Sequence, residues 1–342
     1  MQKRARLIYN PTSGHEVMKR SVADILDILE QAGYEASAFQ TTPEEASAQK
    51  EATRAAKANF DLIVAAGGDG TINEVVNGIA GLEKRPMMAV IPAGTTNDYA
   101  RALKIPRDNP VEAARVILKN QTLKMDIGQA NDNYFMNIAG GGLLTELTYE
   151  VPSDFKSIFG YLAYVVKGAE MLPQIKPIKM HLEYDEGTYD GEASLFLLGL
   201  TNSVGGFEQI APDAQLNDGN FSLIVVKTAN MAELVHLIAL VIKGGKHVND
   251  PRVIYAKTSK LVARPGDDDV KMMINLDGEY GGDAPITFTN LQQHIEMYVN
   301  KEDIPDHAIT SETPTQQSAE DLFVKEVEAI SEEDIDGDGK IG

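Results

Sequence analysis

The chain has 342 residues, 43% hydrophobic and 24% charged, with no cysteine. That length suits two domains with cores of their own, and the absence of cysteine excludes a disulfide framework, a thiolate metal site and a cysteine nucleophile. A formal net charge of −20 repels nucleic acid and argues against it as a partner.

The N-terminal MQKRARLIYNP lacks the apolar core of a secretory leader, and the longest aliphatic run, Leu234 to Ile242, is too short to span a bilayer. A soluble, cytoplasmic chain is expected. RARLIY (Arg4 to Tyr9) reads as a first strand, followed by the turn NPTSG. Met18, Val22, Ile25, Leu26 and Leu29 recur at helical spacing, and Gly33 closes that helix. YEASAFQ is a second strand, Pro43 to Ala58 a charged, alanine-rich helix, and Leu62 to Ala66 a third strand running into GGDGT. A helix follows, then the strand MMAVIP, the turn AGTTND and a short helix at Tyr99 to Leu103. This alternation predicts parallel strands joined by crossover helices.

After Lys124 strand-like runs dominate: KMDIGQA, YFMNIAG, IKMHLEY, ASLFLLGLT, FSLIVVK, VIYAKTSKLVAR, KMMINLD and PITFTN. Two helices interrupt them, near Ser157 to Met171 and Met231 to Lys243, and both read as core helices. The expected fold is an N-terminal α/β domain with a parallel sheet, residues 1–125, with part of 300–330 as a candidate completion. A second, antiparallel β-sandwich-like domain spans 126–300, and 310–342 is an acidic, disordered tail. The tail's DIDGDGKIG resembles the start of an EF-hand loop but lacks the position-12 acid and flanking helices.

NPTSG, GGDGT and AGTTND all fall where a strand ends and a helix begins. In an open parallel sheet those ends line one crevice. Glycine admits a phosphate close to backbone N–H groups, and a helix N-terminus adds donors and a favourable dipole. NPTSG by itself reads as a tight turn, and GTTND fits a helix cap equally well. GGDGT is harder to reduce to a turn, because a turn needs one glycine rather than three around an acid. Together, in order, they point to nucleotide binding.

In the second half, MNIAGGG reads as a close-packed glycine bend. APDAQLNDGNFSL holds one carboxylate, Asp218, in what its spacing makes an Asn-Asp-Gly hairpin turn. In NLDGEY, Asp277 and Glu279 stand two apart, on one face if the segment is extended. Such a pair could divide the holding of magnesium from the removal of a hydroxyl proton, or simply be two solvated acids of a hairpin.

GGDGT with the following Asn73 and Glu74 resembles the signature of the diacylglycerol, sphingosine and NAD kinase superfamily. NPTSG, IPAGTTNDYAR and NLDGE narrow it to a resemblance to the soluble diacylglycerol kinases of Gram-positive bacteria, over about residues 3 to 300. The resemblance implies ATP-dependent phosphorylation of 1,2-diacyl-sn-glycerol to phosphatidic acid. It implies an ATP site at Asn10, Pro11, Thr12, Ser13, Gly14, Thr41, Gly68, Asp69, Gly70, Thr71, Ile72, Asn73, Glu74 and Thr95, with Asp69 interacting with magnesium or organising the site. Glu279 matches the general base and Asp277 an acid of the magnesium network, which Asp98 and Asp126 extend. The Asp218 loop resembles a structural magnesium loop, with the Asp218 carboxylate and the backbone carbonyls of Gln215 and Asn220 as ligands. The same resemblance implies a homodimer, peripheral to the inner face of the membrane where diacylglycerol lies. Many relatives carry a basic residue after the first turn, where this chain departs with His15, largely neutral at pH 7; Lys167 reads either as part of a lipid-facing surface or as an ordinary solvated lysine over a core helix. Two rivals stay open: a kinase of this fold for another lipid alcohol or NAD, and a nucleotide-binding regulator without turnover, against which the intact Asp277 and Glu279 speak.

Overall fold

The computed structural model describes residues 2–14, 17–94, 97–142, 177–202, 209–267 and 269–310. The first half runs β1 (Lys3–Tyr9), α1 (Val17–Gln31), β2 (Tyr34–Gln40), α2 (Ser47–Lys57), β3 (Leu62–Gly67), α3 (Asp69–Ile79), β4 (Met87–Pro92), α4 (Asp98–Ala102) and α5 (Pro110–Arg115). Its strands pair in parallel in the order β2-β1-β3-β4. Every residue of β3 is buried, as a parallel strand between helical layers must be. α2 begins later than the expected Pro43, because Ala46 is left-handed and the Ala48 amide finds its acceptor in the Glu74 carboxylate of α3, at 2.8 Å. The two helices lie so close that a Cβ on Gly78 would come within 2.5 Å of the Gln49 carbonyl oxygen. α5, not foreseen, is started by Asn109, whose side chain accepts from the Val111 and Glu112 amides, with Pro110 in the first turn.

The second half contains β5 (Thr122–Ala130), β6 (Asn133–Phe135), β7 (Ile138–Gly142), β8 (Ile178–Tyr184), β9 (Gly187–Gly199), β10 (Phe221–Lys227), α6 (Met231–Ile242), β11 (Val253–Thr258), β12 (Lys260–Pro265), β13 (Met273–Leu276), β14 (Glu279–Asp283) and β15 (Ile286–Tyr298). Among these strands every pairing is antiparallel. One strand path, β14-β13-β7-β9-β8-β12-β15-β4-β3-β1-β2, crosses both halves. β15 is the joint. It pairs with β12 and β5, shifts register between Leu291 and Ile295, and meets β4 in parallel at Met297–Met88. The boundary expected at residue 125 falls inside β5.

Expected strands broke where a side chain captured the backbone. YFMNIAG divides at Met136 and Asn137, because their amides donate to the Asp277 carboxylate instead of a neighbouring strand. VIYAKTSKLVAR divides at Ser259, whose amide and hydroxyl both donate to Asp185. The expected glycine bend at MNIAGGG is instead the buried strand β7, where a Cβ on Gly141 would lie 2.5 Å from the Phe196 ring. α6, expected as a core helix, is so only on one side: Leu234, Leu237, Ile238 and Val241 pack with Leu195, Leu197, Ile224 and Val226 of β9 and β10, while Ile242 is exposed. The helix expected over Ser157 to Met171, with Lys167, lies outside the described residues, as do His15 and everything beyond Thr310.

Candidate active site

The three glycine turns meet at the ends of β1, β3 and β4. The Asn10 amide donates to Ala66 of β3, and its side-chain oxygen accepts from the Thr12 amide and hydroxyl, which folds Pro11, Thr12, Ser13 and Gly14 into a turn. Gly14 sits at φ 60 against the Ala93 carbonyl, and the Thr41 amide donates to Tyr9 beside Asn10. In GGDGT each glycine has its own reason. A Cβ on Gly67 would fall 2.6 Å from the Thr71 hydroxyl; Gly68 touches Gly94 of the next turn; Gly70 faces open space. α3 then starts at Asp69, and its first hydrogen bond from the interior is Ile72 N–H to Gly68. The amides of Asp69, Gly70 and Thr71 are therefore left at the helix end, the arrangement that binds anions.

Asp69 turns its carboxylate toward the third turn, where Oδ2 accepts from the Asn97 amide at 3.0 Å. Asn97 holds that turn by bonding both the amide and the carbonyl of Gly94. The Asp69 Oδ1 is buried with no hydrogen-bond partner. Burial pushes the Asp69 carboxyl up to about 6, and the charges of Asp98 and Asp277 push the same way. A buried carboxylate oxygen without a donor, among like charges, fits a cation: the donor is hard oxygen, and the repulsion is what a divalent ion relieves.

Asp277 reaches this crevice from the far end of the chain. The LDGE segment is not an extended strand with both acids on one face. Leu276 pairs with Glu279 across a two-residue turn in which Asp277 (φ 50) and Gly278 (φ 99) are both left-handed, because Asp-Gly suits the tight hairpin turn that matches strand twist. The carboxylate of Asp277 accepts from Asn73 Nδ2 (3.0 Å) and the amides of Met136 (2.7 Å), Asn137 (2.9 Å) and Ile138 (2.9 Å). Burial raises its pKa, against the pull of those donors. Four donors use the acceptor capacity of a carboxylate, so Asp277 is a brace between α3 and the β13–β14 hairpin rather than an open metal ligand. Glu279 is exposed, and its carboxylate makes no hydrogen bond or ion pair among the described residues.

Other expected residues fall elsewhere. The Ile72 side chain is in the core and Glu74 caps α2, so neither side chain faces the turns. Asp126 is bonded to another loop of the second half. Its oxygens accept from the Gly219 amide (2.6 Å) and the Gln293 amide (2.7 Å), which ties it to the Asp218 loop, and burial pushes its carboxyl up to about 6. In that loop the Asp218 carboxylate accepts from the Asn220 amide, and its other oxygen stands 3.9 Å from the Lys257 ammonium. The Gln215 side chain donates to His307 and accepts from the Thr310 hydroxyl, and Asn217 bonds both the amide and carbonyl of Thr310. One carboxylate with backbone carbonyls is a donor set compatible with a hydrated ion, although no cluster of three acidic or histidine side chains that could hold a metal occurs among the described residues. Thr95 lies outside the described residues.

Sequence reasoning missed Asn77 and Thr310, and it offered Asn97 only as a helix cap, the N-cap place it takes at α4. Asn77 has a signal: it follows Asn73 by four, on one helix face, and exchanges hydrogen bonds with the Tyr134 backbone, sealing the same seam as Asn73–Asp277.

A glycine-lined crevice closed by a hairpin from an antiparallel domain defines a class, and comparison identifies it. Residues 4–130 match the diacylglycerol kinase catalytic domain, and 147–299 match the YegS C-terminal NAD kinase beta sandwich-like domain. A diacylglycerol kinase of Bacillus subtilis is 52% identical over 300 residues, 88% of this chain and 97% of the relative. One from Staphylococcus epidermidis is 51% identical over 322 residues, 93% of this chain and 100% of the relative. The crystal structure of a diacylglycerol kinase from Bacillus anthracis str. Sterne matches with a TM-score of 0.70 at 27% identity, over 88% of this chain and 98% of that one. The chain belongs to the diacylglycerol kinase family. No helix among the described residues is long and apolar enough to cross a membrane.

Proposed function

We propose that the protein transfers the γ-phosphoryl group of ATP to the free hydroxyl of 1,2-diacyl-sn-glycerol, releasing phosphatidic acid and ADP. The observation that carries this reading is the Asn73–Asp277 hydrogen bond, which puts the phosphate-turn helix and the Glu279 hairpin on one crevice. ATP lies along the turns: Asn10 to Gly14, Thr41, Gly68 to Asn73 and, by family resemblance, Thr95. The free amides at the start of α3 take phosphate oxygens. A magnesium ion, held by Asp69 with Asp98 beside it, would supply charge neutralisation on the phosphates. Glu279 accepts the acceptor's hydroxyl proton as its oxygen bonds the γ-phosphorus and the bond to ADP breaks. Asp277 positions that hairpin. The Asp218 loop, with the carbonyls of Gln215 and Asn220 and with Asp126 fixing its backbone, is a second, structural magnesium site.

In this reading the nucleotide domain, residues 1–125, is completed by 300–304, where Asn300 bonds Leu103, Lys104 and Lys119; residues 126–300 carry the acceptor side. The protein works as a homodimer at the inner face of the membrane. Labelled ATP offered with diacylglycerol, a sphingoid base and NAD tests the acceptor. Label in phosphatidic acid alone is expected. Label in another product, or in none, overturns the assignment.

A further inference from the structure

α6 has an outer face that neither the core nor the crevice explains. Ile242 is 62% exposed, above Val17, Leu118 and Tyr280, the other exposed large hydrophobic residues among those described. Ala239, one turn before it on the same face, is half-buried, whereas Leu240 turns to the other side and packs on the core. The helix then gives way to Lys243, Gly244, Gly245 and Lys246, and both lysines are exposed and make no ion pair among the described residues. Glu233, the acid of the first turn, is committed to the helix cap and to Arg252. On a chain of net charge −20, an exposed isoleucine flanked by two unpaired lysines stands out against the general field.

Its position follows from the strand register. Glu233 and Arg252 fix the start of α6 at the end of the sheet where Val226 pairs with Val253. The other end packs on Gln209 and Pro212 through Gly245. Ala211 touches Gly199, Gly199 pairs with Ile138, and the Ile138 amide holds Asp277. The exposed end of α6 therefore points to the end of the sheet that carries the Asp277–Glu279 turn.

We propose that the C-terminal end of α6 docks on an anionic bilayer, with Ile242 entering the headgroup–acyl boundary and Lys243 and Lys246 meeting lipid phosphates. An apolar point with lysines at its rim is complementary to that surface and to no acidic, water-soluble one. The proposal rests on the reading that the acceptor is a membrane lipid, and it brings the bilayer to the side from which Glu279 is reached.

The chain has no tryptophan, so Ile242→Trp supplies a single reporter and Leu118→Trp a control on another surface. With vesicles of phosphatidylcholine containing phosphatidylglycerol, the Ile242→Trp emission should shift to the blue and be quenched by brominated acyl chains, and the Leu118→Trp emission should not. Ile242→Glu should weaken co-sedimentation about tenfold. Lys243→Glu with Lys246→Glu should weaken binding to the anionic vesicles tenfold or more, with little change on phosphatidylcholine alone. Circular dichroism and turnover on a short-chain, water-dispersed diacylglycerol should stay at wild-type levels in all variants. Wild type that ignores vesicles, or Ile242→Glu that binds them equally well, overturns the proposal. So does an Ile242→Glu variant that turns a dimer into a monomer with vesicle binding intact, since the face then belongs between copies. Vesicle binding that depends on α6, with no lipid phosphorylated, keeps the docking surface and removes the acceptor assignment.

Discussion

Asp69 and Asp126 are both buried carboxylates that burial pushes up to about 6, yet their surroundings differ. Asp126 has a backbone donor on each oxygen, Gly219 and Gln293. Asp69 has its backbone donors, the amides of Asn97 and Tyr99, on one side and no partner on Oδ1, with Asp98 and Asp277 adding repulsion. Upward shifts of similar size thus accompany a brace in one place and a carboxylate with an unpaired oxygen in the other. What separates them is the supply of N–H donors. Around Asp126 the 217–220 loop and the irregular stretch of β15 turn amides inward; around Asp69 the amides of α3 point along the helix axis, toward an incoming anion, and leave the acid to a cation.

The largest expected effect lies at the Glu279 hairpin. Glu279→Gln keeps shape and removes the base, so kcat should fall about 10²- to 10⁴-fold while ATP affinity holds. A variant keeping half of wild-type kcat, with chemistry rate-limiting, would remove Glu279 from the mechanism.

Asp69→Asn should cost about 10²-fold or more in kcat/KM for ATP, with no loss of thermal stability. The sign follows from the raised pKa. The folded state holds the proton more tightly than the unfolded chain between roughly pH 4 and pH 6, so this group's contribution to stability is greatest in acid and is lost as pH rises through about 6. At neutral pH its ionised form costs on the order of 2–3 kcal/mol, which asparagine removes. For wild type, kcat/KM should fall on acidification through about pH 6, and added magnesium should move that limb to lower pH. A pH-independent profile, or a marked loss of stability in Asp69→Asn, would make Asp69 a brace like Asp126.

Asp277→Asn replaces one acceptor with an NH₂ facing a donor, so stability should drop by about 1–3 kcal/mol and turnover with it. Excess magnesium should rescue neither, because the lost partners are amides; rescue in a magnesium titration would show that Asp277 is a metal ligand.

At the other site, Asp218→Ala should abolish stabilisation by magnesium, which for a bound ion at a hundred times its dissociation constant amounts to about 2.7 kcal/mol. Equal magnesium responses in mutant and wild type would leave the loop with Lys257 as its only cation.

The smallest effect concerns the tail. Removing residues 311–342 should change the melting temperature little. Removing Thr310 as well takes away its hydrogen bonds to Gln215 and Asn217 and should cost about 1–3 kcal/mol. Indistinguishable melting curves for the two truncations would show that the clamp is idle.

Individual strands in both halves of the molecule were written locally. β2, β4, β8 and β10 follow from their apolar runs and flanking turns, because strand burial and turn chemistry are properties of neighbours in sequence. The glycines of GGDGT announced a close backbone approach, and the turns do meet. Thr71 of the same motif covers Gly67, but the chain could not announce that Gly94, from the next turn, fills the space at Gly68. Strand breaks at Met136 and Ser259 escaped for the same reason, since Asp277 and Asp185 compete for those amides from far along the chain. The division of the acids was likewise decided in three dimensions. By spacing, Asp69, Asp98, Asp126, Asp218, Asp277 and Glu279 are six carboxylates near glycine turns; the fold gives Asp277 four donors, Asp126 two, and one oxygen of Asp69 none. Sequence fixes residue type and local conformation, whereas the charge state and chemical freedom of a buried acid depend on how many donors the packed tertiary structure brings within hydrogen-bond distance.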